Sequence, residues 1–464
     1  MSLPMTTTTI TSFTPTSVLK DPLEALPPEL VGDIFRCWLL SELYPHPECS
    51  DSQYPVTLCR VSKAWKNFVY ASPLLWAHVI IRVSQNSVPS AQVLRERLAR
   101  SQNAPLFVEA VIEEQPDKEV LRVLFGQCSR FRELTLAVQD LSWWNDMSMK
   151  PFTKLRKLCV RTWTRPGILV KEDELGDIFT SAPLLRHVHW HSTADPGPIS
   201  ISGSRLHHLD LVAFRVPVTR VLDILAACPN LRTVTVSFMD ENPVPPPLKE
   251  RITMGALESL ELCGSKHLTC LMDSIRAPLL AKFDIHWARC NRGTCGAQSL
   301  QSFLDYSTRL QELILNEFLT TEDGLISMIS RHTHLTRLVV IAEPERKNLI
   351  TNKTFEVLTR RQEHRTDALP RLVELVLRGG VSVEDEVLCK MIESRARLSP
   401  PSSCPTSSRG PGEFAALKAI CLDRCKATTY ETIDRVQSLC QRGGIKVEGS
   451  FMCRNRDWFY GGWY

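Results

Sequence analysis

A six-residue unit, apolar-x-x-apolar-x-apolar, recurs eleven times and constrains this chain more than any other feature. It runs as FRELTL from Phe131, LRKLCV from Leu155, LRHVHW from Leu185, LHHLDL from Leu206, LRTVTV from Leu231 and LESLEL from Leu257. LAKFDI from Leu280, LQELIL from Leu310, LTRLVV from Leu335, LVELVL from Leu372 and LKAICL from Leu417 complete the series. Successive starts lie 21 to 45 residues apart, and only the last two intervals exceed 30. One match is cheap by chance. Eleven at similar spacing specify a repeat architecture, in which each unit buries its apolar face on its neighbours.

The last three positions of the unit alternate apolar, polar, apolar, the period of a short strand with one buried face. The segments between units have helical period instead. In VTRVLDILAACPN, Val218, Val221, Leu222, Leu225 and Ala226 share one stripe, and LQSFLDYSTR and GLISMISRHTH repeat the pattern. The recurring entries APLL, CPNL and LPRL put a proline between helix and strand, a helix stop. Spacing and strand motif together resemble leucine-rich repeats, in a degenerate form that mostly lacks the family's asparagine after the strand. The resemblance implies an α/β solenoid with parallel strands inside and helices outside. The polar positions between the anchors then form a continuous concave face.

Composition sets the outer bounds. The 464 residues are 43% hydrophobic and 23% charged, an ordinary soluble mixture. Lys and Arg number 55 against 51 Asp and Glu, an excess too small to argue for nucleic acid or a membrane surface. No run approaches the roughly 18–20 apolar residues of a membrane helix. MSLPMTTTTITSFTPTSVLK has no basic region leading into an apolar stretch, so residues 1–20 read as a disordered leader. The 16 cysteines are scattered, many within apolar patterns (Cys37, Cys59, Cys159, Cys263, Cys421), which points to reduced, buried thiols in the cytoplasm or nucleus. Cys290 and Cys295, or Cys421 and Cys425, make no matched double pair for zinc, and no cofactor is assigned.

Ahead of the repeats, LPPELVGDIF opens a helix at Pro28, where a missing N–H costs nothing. Leu30, Val31, Ile34, Phe35, Trp38 and Leu39 form a wide apolar stripe that must bury against this chain or against another protein. LCRVSKAWKNFVYASPLLW follows, with Leu58, Val61, Trp65, Phe68 and Val69 on a second stripe and Ser72-Pro73 breaking the helix. These stretches resemble the F-box. Leu26, Pro27, Glu29, Leu30 and Ile34 match the start of that family's motif, and Lys63, Trp65 and Leu75-Trp76 match its end. Ser62 stands where the family usually has cysteine, and the YPHPECSDSQYP segment lengthens the loop between helices. The resemblance implies docking onto a Skp-type adaptor, and through it a cullin, by Leu26, Pro27, Leu30, Ile34, Val61, Trp65, Leu75 and Trp76. The repeats would then bind an unknown protein substrate. A repeat scaffold that binds a partner without ubiquitination is the alternative.

The expected order is therefore a leader (1–20), an all-helical F-box (21–80), a connecting strand and helix segment (81–127), the solenoid (128–450) and an aromatic tail (451–464). A flexible Pro/Ser/Gly loop interrupts the solenoid at 396–412, and ENPVPPPLKE at 241–250 is a shorter one. The tail, with aromatics from Trp458 to Tyr464, reads either as a cap on the solenoid or as a partner-binding segment. In HVHWH, His187, His189 and His191 project from one strand face, next to His208 and Asp210. With Lys282 and Asp284, these residues (His187, His189, His208, Asp210) form the expected substrate surface. A solvated polar face, a substrate or phosphate contact, and metal or pH sensing are the readings of the histidines. No P-loop, nucleotide fingerprint, G-x-S-x-G elbow or H-E-x-x-H occurs, so the chain reads as a scaffold, not an enzyme.

Overall fold

The computed structural model describes residues 21–43, 55–83, 90–113, 118–139, 151–162, 181–191, 205–212, 217–237, 248, 250–264, 267–287, 296–317, 321–342, 349–360, 368–396, 415–423 and 430–448. The leader, the loop at 44–51, most of the loops at 241–250 and 396–412, the tail, and Cys290, Cys295 and Cys425 lie outside the described residues.

The strands are β1 (His78–Val83), β2 (Leu106–Ile112), β3 (Phe131–Val138), β4 (Lys157–Thr162), β5 (His187–His191), β6 (His208–Val212), β7 (Thr233–Ser237) and β8 (Ile252–Thr253). After them come β9 (Ser259–Gly264), β10 (Ile275–Arg276), β11 (Lys282–Trp287), β12 (Glu312–Asn316), β13 (Arg337–Ile341), β14 (Glu374–Arg378), β15 (Ala419–Asp423) and β16 (Lys446–Glu448). Fourteen of them form one parallel sheet in chain order, while β8 and β10 make a separate parallel pair. All eleven sequence units supply one strand each to the large sheet, β3 to β7, β9 and β11 to β15.

The sheet also extends past both ends of the motif series. It begins at His78, inside the expected helical module, and takes in β2 from the expected connecting segment. HVIIRV and LFVEAVI bury every second residue, but the residues between are themselves mostly β-branched or aromatic, so polarity does not alternate with burial. Alternate strand positions and the inner helix faces make one continuous core from Ala77 to Ile445. The Val218–Ala227 helix buries Ile224 and leaves Ala226 exposed, a small rotation from the stripe expected. Gly379, which follows β14, has φ +73°, and a Cβ there would sit 2.5 Å from the Ala342 carbonyl oxygen.

Of the five cysteines expected in apolar surroundings, Cys159 and Cys421 are buried, Cys59 and Cys263 are half-buried, and Cys37 is exposed. Other thiols are deep in the core, and burial pushes Cys228 and Cys440 up to about 11, leaving them protonated and inert.

The N-terminal helices, Pro22–Ala25, Pro28–Leu43, Val56–Cys59 and Lys63–Tyr70, with the 3₁₀ turn Pro73–Trp76, have a separate core. Val31, Phe35, Leu39, Leu58, Val69, Leu75 and Trp76 fill it. The Trp76 indole donates to the Val69 carbonyl at 2.9 Å, and the Trp65 indole donates to Asp21 Oδ1 at 3.0 Å. Ser62 Oγ accepts from the Trp65 amide at 3.1 Å, so the residue that departs from the F-box pattern caps the helix. Arg100, from the first repeat helix, lies 4.7 Å over the Trp76 ring and ties module to array.

This junction carries a pH response. His78 stacks on Phe107 with ring centroids 4.5 Å apart. Burial, with Arg97 and Arg36 nearby, pushes its pKa down to about 4, against about 6.5 when unfolded. The unfolded chain therefore binds this proton first as pH falls. Stability should drop between about pH 6.5 and 4 and gain no further loss from this group below that. Because the ring is partly exposed, we expect roughly 2 kcal/mol at most. Urea melts of wild type and His78→Phe across this range should diverge, with the variant flatter. Parallel pH profiles would remove His78 as the cause.

Candidate functional site

The exposed side of the sheet consists of rows that the parallel register fixes residue by residue. One row, nearest the strand starts, runs Glu133, Lys157, His187, His208, Thr233, Ser259, Lys282, Glu312, Arg337, Glu374. The next runs Thr135, Cys159, His189, Asp210, Thr235, Glu261, Asp284, Ile314, Val339, Val376, Cys421. These residues stand where strand alternation puts them, on the face opposite the core leucines, although Cys159, Val339 and Cys421 are themselves buried there.

The structure brings four of the six expected substrate residues together. His187 and His208 face each other across β5 and β6, with ring centroids 4.4 Å apart and planes 8° from parallel. Asp210 Oδ2 lies 3.2 Å from His189 Nδ1 and 2.9 Å from His191 Nε2. One carboxylate oxygen thus accepts from two rings and fixes which nitrogen of each carries the proton. His191 belongs to this cluster although the sequence expectation did not assign it to the substrate surface. The signal was its two-residue spacing from His189. Burial, and for each ring the neighbouring histidines, hold His187 and His208 below the usual histidine value, so the stacked pair is neutral at neutral pH.

Lys282 and Asp284 do not join them. They sit on β11, four strands from β5, roughly 19 Å away at the usual strand spacing. Burial and the adjacent Glu261 carboxylate push Asp284 upward, while Lys282 opposes that. Beyond them the face changes character. Arg337 pairs with Glu312 at 3.6 Å and with Glu374 at 3.0 Å, so its charge is spent locally. The second row turns apolar at Ile314, Val339, Val376 and Cys421. The site is thus two regions, a histidine-rich basic one and a self-paired, partly apolar one.

The imidazoles do not converge on a point. Same-face neighbours along a strand lie roughly 6.5–7 Å apart, and two rings are already engaged by Asp210. Among the described residues no group of three or more His, Cys, Asp or Glu could hold a metal ion. Among the same residues no helix is long and apolar enough to cross a membrane.

At the other end, Leu26, Pro27, Leu30, Ile34 and Val61 are exposed, and Trp65 is half-buried against Phe35 at 4.5 Å. Leu75 and Trp76, expected on the adaptor surface, are only 2% exposed. They belong to the module's own core, because the 3₁₀ turn directs them inward beneath Val69.

These features define an α/β array of stacked parallel strands with packed helices, preceded by a helical module. No protein-family model matches the chain. No curated protein matches it. Among solved structures, an internalin from Listeria monocytogenes is similar at 11% identity and a TM-score of 0.39, covering 81% of this chain and 92% of that one.

Proposed function

We propose that this chain is the substrate-recognition subunit of a Skp-cullin-F-box ubiquitin ligase, the helical module docking the adaptor and the repeats holding the substrate. One observation carries the reading: the long helix Pro28–Leu43 splits its wide stripe. Val31, Phe35 and Leu39 are buried in the module, whereas Leu30 and Ile34, one position earlier in each pair, are each 50% exposed. Leu26, just ahead of this helix, and Val61, just after the Val56–Cys59 helix, are exposed apolar residues of the same module. A strip held out by a core that is already complete is the mark of a docking face. The Pro27 carbonyl accepts the first helical bonds, from Leu30 and Val31 at 3.0 and 3.1 Å, which fixes Leu26 outside the helix.

Leu26→Ala, Leu30→Ala and Ile34→Ala together should leave the thermal midpoint nearly unchanged, since all three are exposed. Copurification of a Skp-type adaptor should be lost, because truncating central anchors costs ~2 kcal/mol or more each. An adaptor yield equal to wild type would remove the ligase reading. Adaptor without cullin would leave a scaffold that binds partners but transfers no ubiquitin.

A further inference from the structure

The near-balanced charge of the whole chain conceals a local concentration. The second position of the repeat unit lies on the edge where the strands begin, just before β4, β5, β6 and β7 and at the second residue of β3. In the first five units it holds Arg132, Arg156, Arg186, His207 and Arg232. Backbone bonds lock these five into a ladder. Each amide donates to the carbonyl of the previous member, Arg156 to Arg132 at 2.8 Å, Arg186 to Arg156 at 2.9 Å, His207 to Arg186 at 2.9 Å and Arg232 to His207 at 2.8 Å. From β9 onward the same backbone bonds continue but the cations end: Glu258, whose amide donates to the Arg232 carbonyl at 2.8 Å, takes the position, and no cation occupies it again until Lys418.

The side chains are open. The four arginines are exposed. Arg132 leans over the Phe107 ring at 5.9 Å, and Arg232 meets Glu258 at 3.8 Å, where the cations stop. Among the described residues no ion pair engages Arg156 or Arg186. Lys157 adds a further cation one residue along, beside the neutral His187–His208 stack, and Glu133 is the one acid in that stretch of the row.

Resting on the reading of the repeats as the substrate-holding part, we infer that this rim binds a short, acidic, extended segment of a partner protein, rich in Asp and Glu. Five rungs cover four strand spacings, roughly 19 Å, which about six extended residues span. Length is what favours a peptide over nucleic acid. A longer polyanion would run on to Glu258, Glu261 and Asp284 and be repelled. Nor is any rung a Phe, Tyr or Trp on which bases could stack, and Phe107, beside Arg132, is already covered by His78. Charge complementarity of this kind speeds association and selects the partner more than it deepens affinity.

The test uses the full chain and three fluorescein-labelled probes of equal length: hexaglutamate, a glycine–serine hexapeptide and hexauridylate RNA. Hexaglutamate should bind about tenfold or more tighter than the neutral peptide, and binding should weaken steeply from about 50 to 200 mM salt. Arg156→Gln with Arg186→Gln should lower hexaglutamate affinity by about tenfold or more, as lost charge-assisted bonds do. Arg156→Lys with Arg186→Lys, which retains the charge, should recover most of it and guards against a folding defect. Lys353→Gln, on the helical side and away from the rim, should change affinity by less than about twofold. Hexaglutamate bound no better than the neutral peptide, or equally by the Gln variant, overturns the inference. RNA bound more tightly than hexaglutamate and lost in the Gln variant overturns it too, making the rim a nucleic-acid surface. Adaptor copurification with the same Gln variant should be unchanged. Its absence from wild type would sink the ligase reading without touching the rim.

Discussion

Arg395→Met should lower stability by ~3–5 kcal/mol, more than most single changes at a polar residue. The side chain is 4% exposed at the end of the Asp385–Arg395 helix. Its Nε donates to the Leu358 carbonyl at 2.5 Å, Nη1 to Leu369 at 3.0 Å and Nη2 to Ala368 at 2.8 Å. One planar fork therefore satisfies three backbone acceptors from the preceding repeat, those of Leu358 and Leu369 buried and that of Ala368 partly so. Methionine fills similar volume but leaves those carbonyls without this donor, at ~1–3 kcal/mol each before relaxation. Leu369 itself holds φ +52°, a left-handed conformation that costs leucine roughly 1–2 kcal/mol and persists because its surroundings fix it. Arg395→Lys should recover less than half of the loss, since a point ammonium cannot reproduce the fork. In an array, the damage should first appear as faster hydrogen exchange across 368–396 and only then as a lower denaturant midpoint. A lysine variant as stable as wild type would show that the three-carbonyl clamp is not what holds this repeat.

Arg395 also shows where sequence reading stops. The strands were legible because each unit states its own buried face: in LRHVHW, leucine, valine and tryptophan go in and everything else stays out. The helical module was half legible. Pattern found the stripe Leu30 to Leu39, but only packing decides that Val31, Phe35 and Leu39 fill a core while Leu30 and Ile34 stay out. The same holds for Leu75 and Trp76, whose place in a motif gives no hint that their side chains turn inward. The histidine cluster required register. Nothing local says that Asp210, nineteen residues after His191, stands directly opposite His189 and within reach of both rings. Arg395 ends a helix beside a Pro/Ser/Gly stretch, where nothing local sets it apart from a solvated cation. Only the fold shows three carbonyls aimed at it. The arginine ladder was visible letter by letter in LRK, LRH and LRT. It became a surface once the backbone bonds placed those letters one strand apart.

Leu260→Ala should destabilise the array by ~2–5 kcal/mol, and its neighbour Ser259→Ala should stay within about 0.5 kcal/mol. The two residues are consecutive on β9, so any difference between them is a difference of face. Leu260 is 1% exposed and lies in register between Val234 on β7 and Phe283 on β11, all three in the continuous core. Removing its branch leaves a void that the flanking strands, fixed by parallel ladders on both sides, can close only in part. Ser259 stands between Thr233 and Lys282 on the open face, where a lost hydroxyl is replaced by water. Leu313→Ala, in the same position of the unit on β12 and fully buried, should repeat the result two strands away. The repeated pair matters more than either value, because a solenoid's stability is a sum over neighbouring interfaces and both truncations weaken two interfaces each. Midpoints from urea melts, with unfolding slopes compared to detect separate melting of one end, make the measurement. If Ser259→Ala were the costly change, the assignment of inner and outer faces would be inverted, and with it the rows that carry the histidine cluster.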